Sequence, residues 1–379
     1  MGKLMFRGIK SKIYYNLINS PGWRTKKKIV VIESDDWGSI RMPSKDVYQK
    51  FVNHGLNLSN SDYNRIDTIE SNDDLLQLYD VLSSYRDCNG NHPVITANMV
   101  IGNPDFKRIK DSDYQQYYYE VVTETLKQYT GRDRVESLWK EGYEIGIFNP
   151  QLHGREHVNV ERWMNALRTK TPEILFTFSN NTTFSGEGDY NFMEVLDFTS
   201  RDEITGMKKS LIEGLSLFED IFGYRSKSFI APCYAWDSEL ESVLYSNGIR
   251  YLQGLIVQLV PKGSFGDYKR RYHFLGGRSS SGLTYLIRNC FFEPTLSARN
   301  NVVENCLRNV DIAFAWRKPA IICSHRINYM GDLDPDNRKV NLRLLDELLR
   351  RILKQWPDVE FMTSDQLGDM ITNGEIVEN

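Results

Sequence analysis

Three groups of residues in this chain have the types and spacing that chemistry requires. The first is Asp35-Asp36, two carboxylates in a row at the end of the run Lys28-Ile29-Val30-Val31-Ile32-Glu33-Ser34 and just before Trp37 and Gly38. Adjacent residues on an extended strand point to opposite faces, so two neighbouring aspartates can serve one site only where the strand breaks. One could then face a metal ion and the other a substrate; an acidic turn capping a strand is the plainer alternative, since Asp and Gly are ordinary turn residues. The second group is His153 and His157, four residues apart. On one helical turn that spacing brings both imidazoles to the same side. Neutral imidazole suits zinc and its neighbours, although two histidines on a solvated turn have the same spacing. One aspartate from another strand end would complete a His₂Asp set, three protein ligands with open coordination, as in catalytic rather than structural metal sites. The third group is His325, which ends the apolar run Ala320-Ile321-Ile322-Cys323-Ser324. There it is either a hydrogen-bonded structural group or a general acid. His54, His92 and His273 fall in helix-end or loop settings and read as surface or structural residues.

The elements that must position these groups alternate along the chain. Apolar or β-branched runs predict strands at residues 28–34, 93–99, 143–148, 174–178, 228–231, 251–260, 285–292 and 320–324. Helical spacing predicts helices over 44–54, 72–86, 114–129, 134–141, 160–168, 204–222, 237–246, 300–316 and 340–356. Residues 180–190 read as a loop, and 261–282, with its glycines and Lys-Arg-Arg cluster, as a long functional or mobile loop. No internal repeat or low-complexity linker interrupts the alternation. A single α/β domain over residues 28–379, most naturally a parallel barrel, follows a basic arm over residues 1–27. In such folds chemistry gathers at the C-terminal ends of the strands. Asp35, Asp36, Asn98, His153, Pro232, Tyr234 and His325 all fall at such ends.

Composition bounds the reading. The chain has 379 residues, 41% hydrophobic and 26% charged, ordinary for a globular protein with a substantial core. A net charge of −3 gives no bulk basic field that would call for nucleic acid. Aromatic residues reach 12%. Trp37, Trp236 and Tyr234 flank the expected site, where they either pack the core or stack on sugar rings. Five cysteines without paired spacing read as reduced residues and favour a cytoplasmic setting. Residues 1–28 are basic and mildly amphipathic but lack the apolar run of a signal peptide. No segment approaches the ~20 apolar residues of a membrane span. The arm is read either as a solvated tail or as a peripheral contact with an anionic inner-membrane surface.

In this order the motifs resemble those of the polysaccharide deacetylases, the group of chitin and peptidoglycan N-acetylglucosamine deacetylases. Asp35-Asp36 after an apolar strand resembles the first family motif. Gly142-Tyr143-Glu144-Ile145-Gly146 followed by His153-Gly154-Arg155-Glu156-His157 is similar to the second, Phe229-Ile230-Ala231-Pro232-Cys233-Tyr234 to the third, and Ile321-Ile322-Cys323-Ser324-His325 to the fifth. The resemblance spans residues 28 to 326. It implies a distorted (β/α)₇-type barrel with inserted loops and helices, and metal-assisted amide or ester hydrolysis. Carried over by position, Asp36, His153 and His157 hold a divalent metal, zinc first, with cobalt, nickel or manganese as substitutes. Asp35 is the general base, and His325 protonates the leaving group. Tyr234, Trp37, Trp236 and Asn98 are the expected substrate-binding residues, with the backbone amide next to Tyr234 as an oxyanion donor.

The departures are specific. The second-motif Ser/Thr is Gly154, the third-motif arginine falls on Ile230, and no fourth-motif Trp-Asp pattern follows Arg250-Tyr251-Leu252-Gln253. Asp35 would therefore be kept ionised by the metal or by another cation, for which Arg155, Arg288 and Arg326 are the candidates near the motifs. Insertions at residues 40–92, 104–140 and 255–285 are expected to remodel the rim, away from a generic chitin chain. The leading expectation is a deacetylase of an N-acetylated sugar or glycan precursor in surface-polysaccharide or glycoconjugate biosynthesis. The alternatives are an O-acetyl esterase on the same scaffold and a non-catalytic glycan-binding relative. A metal phosphoesterase is weaker, because a second cluster of ligands is not evident.

Overall fold

The structure, a computed structural model, describes residues 13–58, 61–186, 191–297 and 301–374. Its strands, in chain order, are β1 (Lys28–Trp37), β2 (Ile95–Val100), β3 (Gly102–Pro104), β4 (Tyr119–Val121), β5 (Phe148–Gly154), β6 (Ser228–Ile230) and β7 (Tyr251–Gly254). Then come β8 (Val257–Pro261), β9 (Tyr268–Tyr272), β10 (Thr284–Ile287), β11 (Cys290–Phe291), β12 (Ala320–His325) and β13 (Val359–Phe361). β1 is buried from Ile29 onward. A strand covered on both faces must be apolar nearly throughout, which is why it reads as a β-branched run. β12 and β2 flank β1 in parallel, and the register sets Asp35 beside His325.

The main sheet runs β10-β7-β6-β5-β2-β1-β12-β11, with β13 on the first residues of β1. All its ladders are parallel. Only Arg288 and Asn289 separate β10, which pairs with β7, from β11, which pairs with β12. The two ends of the path are thus one bent strand, and the sheet curls back on itself. Counting β10 and β11 as one gives seven staves, the expected (β/α)₇-type architecture. Helices cover the outside. The helix Glu203–Phe222 buries Ile204, Leu211, Leu215 and Phe218 and ends at Gly223, whose φ of 76° suits a left-handed cap. The helix Pro335–Gln355 starts with its proline in the first turn, where a missing N–H costs nothing. Among the described residues no helix is long and apolar enough to cross a membrane.

Several sequence expectations are corrected. Residues 143–147 do not form a strand: the helix Val135–Glu144 runs through Tyr143, and β5 begins at Phe148 and carries His153 itself. Residues 174–178 are helical, inside Pro172–Ser179, where Ile174 and Phe178 recur with a four-residue period and pack in one cluster. Residues 114–129 hold β4 and a short helix, Val122–Leu126, in place of one helix. The 261–282 loop contains β9, paired antiparallel with β8, so much of it is an ordered hairpin. Residues 187–190 of the expected 180–190 loop and Asn300 of the expected 300–316 helix lie outside the described residues. From residue 13 onward the basic arm is no solvated tail: residues 13–19 are helical, and Lys318 donates to the Pro21 and Trp23 carbonyls.

Candidate metal centre and active-site cleft

The break in β1 does the first work. The ladder to β2 shifts register between Ser34 and Trp37, and Asp36 has φ 77°, a left-handed conformation that non-glycine residues adopt at a cost of about 1–2 kcal/mol. Gly38 follows at φ 78°, where a Cβ would stand 2.3 Å from the Val100 carbonyl, so only glycine fits. This irregularity lets both adjacent aspartates line the same cleft. The cleft encloses about 390 Å³, within the usual range for small-molecule sites, and also takes in Arg41, Tyr63, His153, His157, Cys233, Tyr234 and His325.

Asp36, His153 and His157 form one buried group whose ligand atoms all lie within 4.8 Å of one another. Asp36 Oδ1 is 3.4 Å from His153 Nε2 and 3.1 Å from His157 Nε2. His153 Nδ1 donates to the Ile230 carbonyl at 2.9 Å, so in the neutral ring Nε2 presents a lone pair to a carboxylate. Lone pairs that converge in a buried place call for a cation between them. Burial pushes His157 down to about 4, overcoming the attraction of Asp36, so its ring is neutral near pH 7. Asp36 stays ionised: burial works against the charge, but His157 and Arg41 hold its pKa well below the usual carboxylate value. Two neutral imidazoles and a carboxylate are the donor chemistry of an open zinc-type site, and these residues fit a divalent metal. A second group, Glu293, Cys323 and His325, is as close together. There burial keeps the Cys323 thiol protonated, and His325 Nδ1 already bonds Glu293, so it reads as a hydrogen-bonded cluster.

Asp35 is gripped from the other side. Arg288 donates from NH2 to its Oδ1 at 2.6 Å and from NH1 to its Oδ2 at 2.7 Å, while Asn98 donates to Oδ1 at 2.7 Å. Arg288 stands at the bend between β10 and β11, where the strand leaves β7 for β12, and its Nε bonds Glu33 at 2.6 Å. Burial by itself would raise the Asp35 pKa; the Arg288 charge and hydrogen bonds reverse this and lower it to about 2. Of the three arginines that could replace the one missing at Ile230, Arg288 alone reaches Asp35. Arg155 pairs with Glu156 and Glu213, and Arg326 with Asp67 and Glu70.

His325 faces Asp35 across the cleft, Nε2 to Oδ2 3.6 Å. Its Nδ1 bonds Glu293 at 2.6 Å, and Asn328 donates to the other Glu293 oxygen at 2.7 Å. Burial alone would lower the imidazole pKa, but the Glu293 charge and hydrogen bond, with Asp35 and Asp36, raise it to about 9. His325 is therefore held protonated, with its Nε2 turned toward Asp35 at the cleft.

The expected substrate-binding residues divide. Tyr234 lines the cleft, on a turn where Cys233 and Tyr234 both have positive φ, and its hydroxyl lies 3.1 Å from Arg288. Trp37 and Trp236 do not line it. Trp37 is fully buried, stacked on Tyr329 with its Nε1 bonded to Ser34, and Trp236 packs in the core with its Nε1 on Glu241. Asn98 is also fully buried, bridging Asp35 and Gln253, so it holds Asp35 and does not line the cleft. The Tyr234 and Ala235 amides donate within the turn, to Ala231 and Pro232, and Tyr234's neighbour Ala235 is thus no free oxyanion donor. Sequence reasoning missed Glu33, Arg41, Tyr63 and Glu293. Glu33 had a signal, a charge within a buried strand; Glu293 had a similar one, directly after Cys290-Phe291-Phe292.

No family model and no curated protein sequence matches the chain. Among solved structures, a putative glycoside hydrolase/deacetylase from Parabacteroides distasonis superposes with a TM-score of 0.50 at 8% identity, over 92% of this chain and 72% of that one. The chain has that barrel fold. A putative polysaccharide deacetylase from Mycobacterium smegmatis aligns over 94% of this chain and 95% of its own, at 11% identity and a TM-score of 0.42. A 4-alpha-glucanotransferase from Thermococcus litoralis aligns at 10% identity and a TM-score of 0.44 over 90% of this chain, which spans 40% of that enzyme's length. The likeness is one of fold, as the motif resemblance implied.

Proposed function

We propose that this protein is a metal-dependent hydrolase that removes an acetyl group from an N-acetylated sugar. The observation that carries the reading is the convergence in one cleft of the Asp36, His153 and His157 donors, the Arg288-bound Asp35 and the Glu293-bound His325. Asp36, His153 and His157 hold the ion, zinc before cobalt, nickel or manganese; when bound it polarises the acetyl carbonyl and acidifies water. Asp35, ionised at every pH near neutrality, accepts the proton of the attacking water as oxygen bonds to the acetyl carbon. A carboxylate held at about 2 is a weak base, which is why such a site needs an electrophile beside it. His325 Nε2 then delivers a proton to the amide nitrogen as the C–N bond breaks, leaving acetate and a free amine. Glu293 keeps His325 protonated for that step.

The cleft wall supplies hydroxyl recognition. Arg41, Tyr63, Asn64 and Asn191 line it beside Glu194, whose Oε2 is buried without a hydrogen-bond partner among the described residues and suits a sugar hydroxyl. A glycan precursor in surface-polysaccharide or glycoconjugate assembly is the substrate class we assign. The test is acetate release from a panel of N-acetylated hexosamines, free, nucleotide-linked and lipid-linked, by zinc-loaded protein. Wild type should release acetate, and Asp35→Asn should lose at least ~100-fold in kcat while keeping its metal. Release from O-acetylated sugars alone would reassign the reaction to an esterase. Sugar binding without acetate release, equal in both proteins, would mark a glycan-binding relative.

A further inference from the structure

The charge of this chain is distributed unevenly. Residues 1–28 contain eight basic side chains (Lys3, Arg7, Lys10, Lys12, Arg24, Lys26, Lys27 and Lys28) and no acid. The whole chain carries −3, so with +8 in this segment the remaining residues carry −11. Lys27 and Lys28 are committed to the body through Glu360 and Asp358. Arg24 and Lys26 are exposed.

The helix at residues 13–19 has two different faces. One is docked: Ile18 and Asn19 are buried, Asn289 donates to Asn19 at 2.7 Å, Trp316 donates to Asn16 at 2.8 Å, and the Tyr15 ring meets Phe291. The other is apolar and open to water, with Ile13 55% exposed, Tyr14 45% and Leu17 64%. Positions 13 and 17, and 14 and 17, are helical neighbours, so these three make one continuous stripe. The chain then turns at Gly22, where a Cβ would stand 3.1 Å from the ring of Phe274, itself 48% exposed. Phe274 follows β9, whose Lys269, Arg270, Arg271 and Tyr272 are exposed as well. A docked helix that leaves its large apolar side chains in water, within the most basic part of an acidic protein, is not explained by its own packing.

We infer that this helix and the exposed basic residues of the described chain near it, Arg24, Lys26, Lys269, Arg270 and Arg271, form a docking surface for a membrane of anionic phospholipids. Ile13, Tyr14 and Leu17 enter the boundary between headgroups and acyl chains, and the lysines and arginines meet the lipid phosphates. The apolar stripe decides between lipid and a soluble polyanion. A nucleic acid or acidic glycan uses the charge and has no use for exposed Ile13 and Leu17. A second copy of the chain docked face to face would set two clusters of exposed basic side chains against each other. The surface stands independently of the hydrolase reading, because binding is read without any turnover.

The experiment is co-sedimentation of the full chain with vesicles of phosphatidylcholine alone and of phosphatidylcholine mixed with phosphatidylglycerol, in low and high salt. Wild type should pellet with the mixed vesicles only, and high salt should release it. Ile13→Asp/Leu17→Asp should weaken that binding at least about tenfold, and Lys269→Gln/Arg271→Gln, at exposed positions of β9, should weaken it while leaving the apolar stripe intact. Both pairs should leave the thermal melt within a few degrees of wild type, since the altered apolar side chains are exposed. Wild type that stays in the supernatant with mixed vesicles overturns the inference. So does Ile13→Asp/Leu17→Asp that pellets like wild type, and heparin binding by that variant at wild-type strength would then identify a polyanion surface.

Discussion

Arg288 holds both carboxylate oxygens of Asp35, at 2.6 and 2.7 Å, from the bend at which one strand leaves β7 and joins β12. Arg288 is fully enclosed while Asp35 keeps an edge on the cleft, and Glu33 bonds the Nε of the same guanidinium. A bidentate grip of this kind fixes a carboxylate in position as well as in charge. It gives Asp35 the cation that Ile230 cannot supply, by a route through another strand.

Removing that cation exposes the cost of burying charge. Arg288→Met leaves Asp35 and Glu33 buried without their shared guanidinium, with Asn98, His325 and Ser364 beside them, and should destabilise the protein by about 3–5 kcal/mol at neutral pH. In wild type the folded pKa of Asp35, about 2, lies below its ordinary 3.8. Its contribution is therefore fully present above pH 3.8 and is lost as pH falls through about 2. In Arg288→Met the destabilisation should shrink on acidification, because both carboxyls can then be neutral. Urea midpoints across an acid series check this; a variant as stable as wild type at neutral pH would contradict it.

His325 titrates in the opposite sense. Its folded pKa, about 9, lies above the ordinary 6.5, so its contribution to stability is complete below 6.5 and disappears as pH rises through about 9. Glu293 is the largest cause of the rise against burial. Glu293→Gln should pull the His325 pKa down and move the alkaline limb of kcat the same way. NMR titration of the His325 ring protons in both proteins measures the shift. An unchanged titration would remove Glu293 from the account.

Asn98 orients Asp35 without reaching the cleft. Asn98→Ala should lower kcat by about tenfold, in line with other outer-shell partners, with KM and metal content unchanged. A rise in KM with kcat preserved would return Asn98 to the substrate-binding role its strand-end position suggested.

Trp236 is a core residue, and its loss should be read in stability. Trp236→Ala should cost about 3–5 kcal/mol, seen as a lower urea midpoint, while Trp236→Phe should keep KM for the sugar near wild type. A large rise in KM for Trp236→Phe, with stability intact, would instead mark a stacking platform.

The sequence made the barrel legible where strands were buried on both faces, because β1 and β12 had to be nearly continuous apolar runs. It misplaced the third strand because Tyr143-Glu144-Ile145-Gly146-Ile147-Phe148 alternates like a strand, while helix packing of Leu138, Trp139 and Gly142 claims its first residues. The true strand, β5, carries Pro150 and polar residues that local propensity disfavours. The meeting of Asp36, His153 and His157 was legible, but not on the helical turn that the four-residue spacing suggested: His153 is in β5 and His157 lies in the loop after it. The Asp36 backbone supplies the predicted break. Trp37 was misread because nearness in sequence to Asp36 says nothing about face; at the next position the chain has already turned into the core. Arg288 was one candidate among three, since only the closure of the sheet brings residue 288 to residue 35. Glu293 reaches His325 through the same closure, across more than thirty residues.

The central claim is a single three-ligand metal site made by Asp36, His153 and His157. Zinc titrated calorimetrically into metal-stripped protein tests it most directly, in wild type and in His157→Ala. The account predicts one zinc bound per chain and binding at least ~10–100-fold weaker in the variant. No binding to wild type, or equal binding to both proteins, would contradict it.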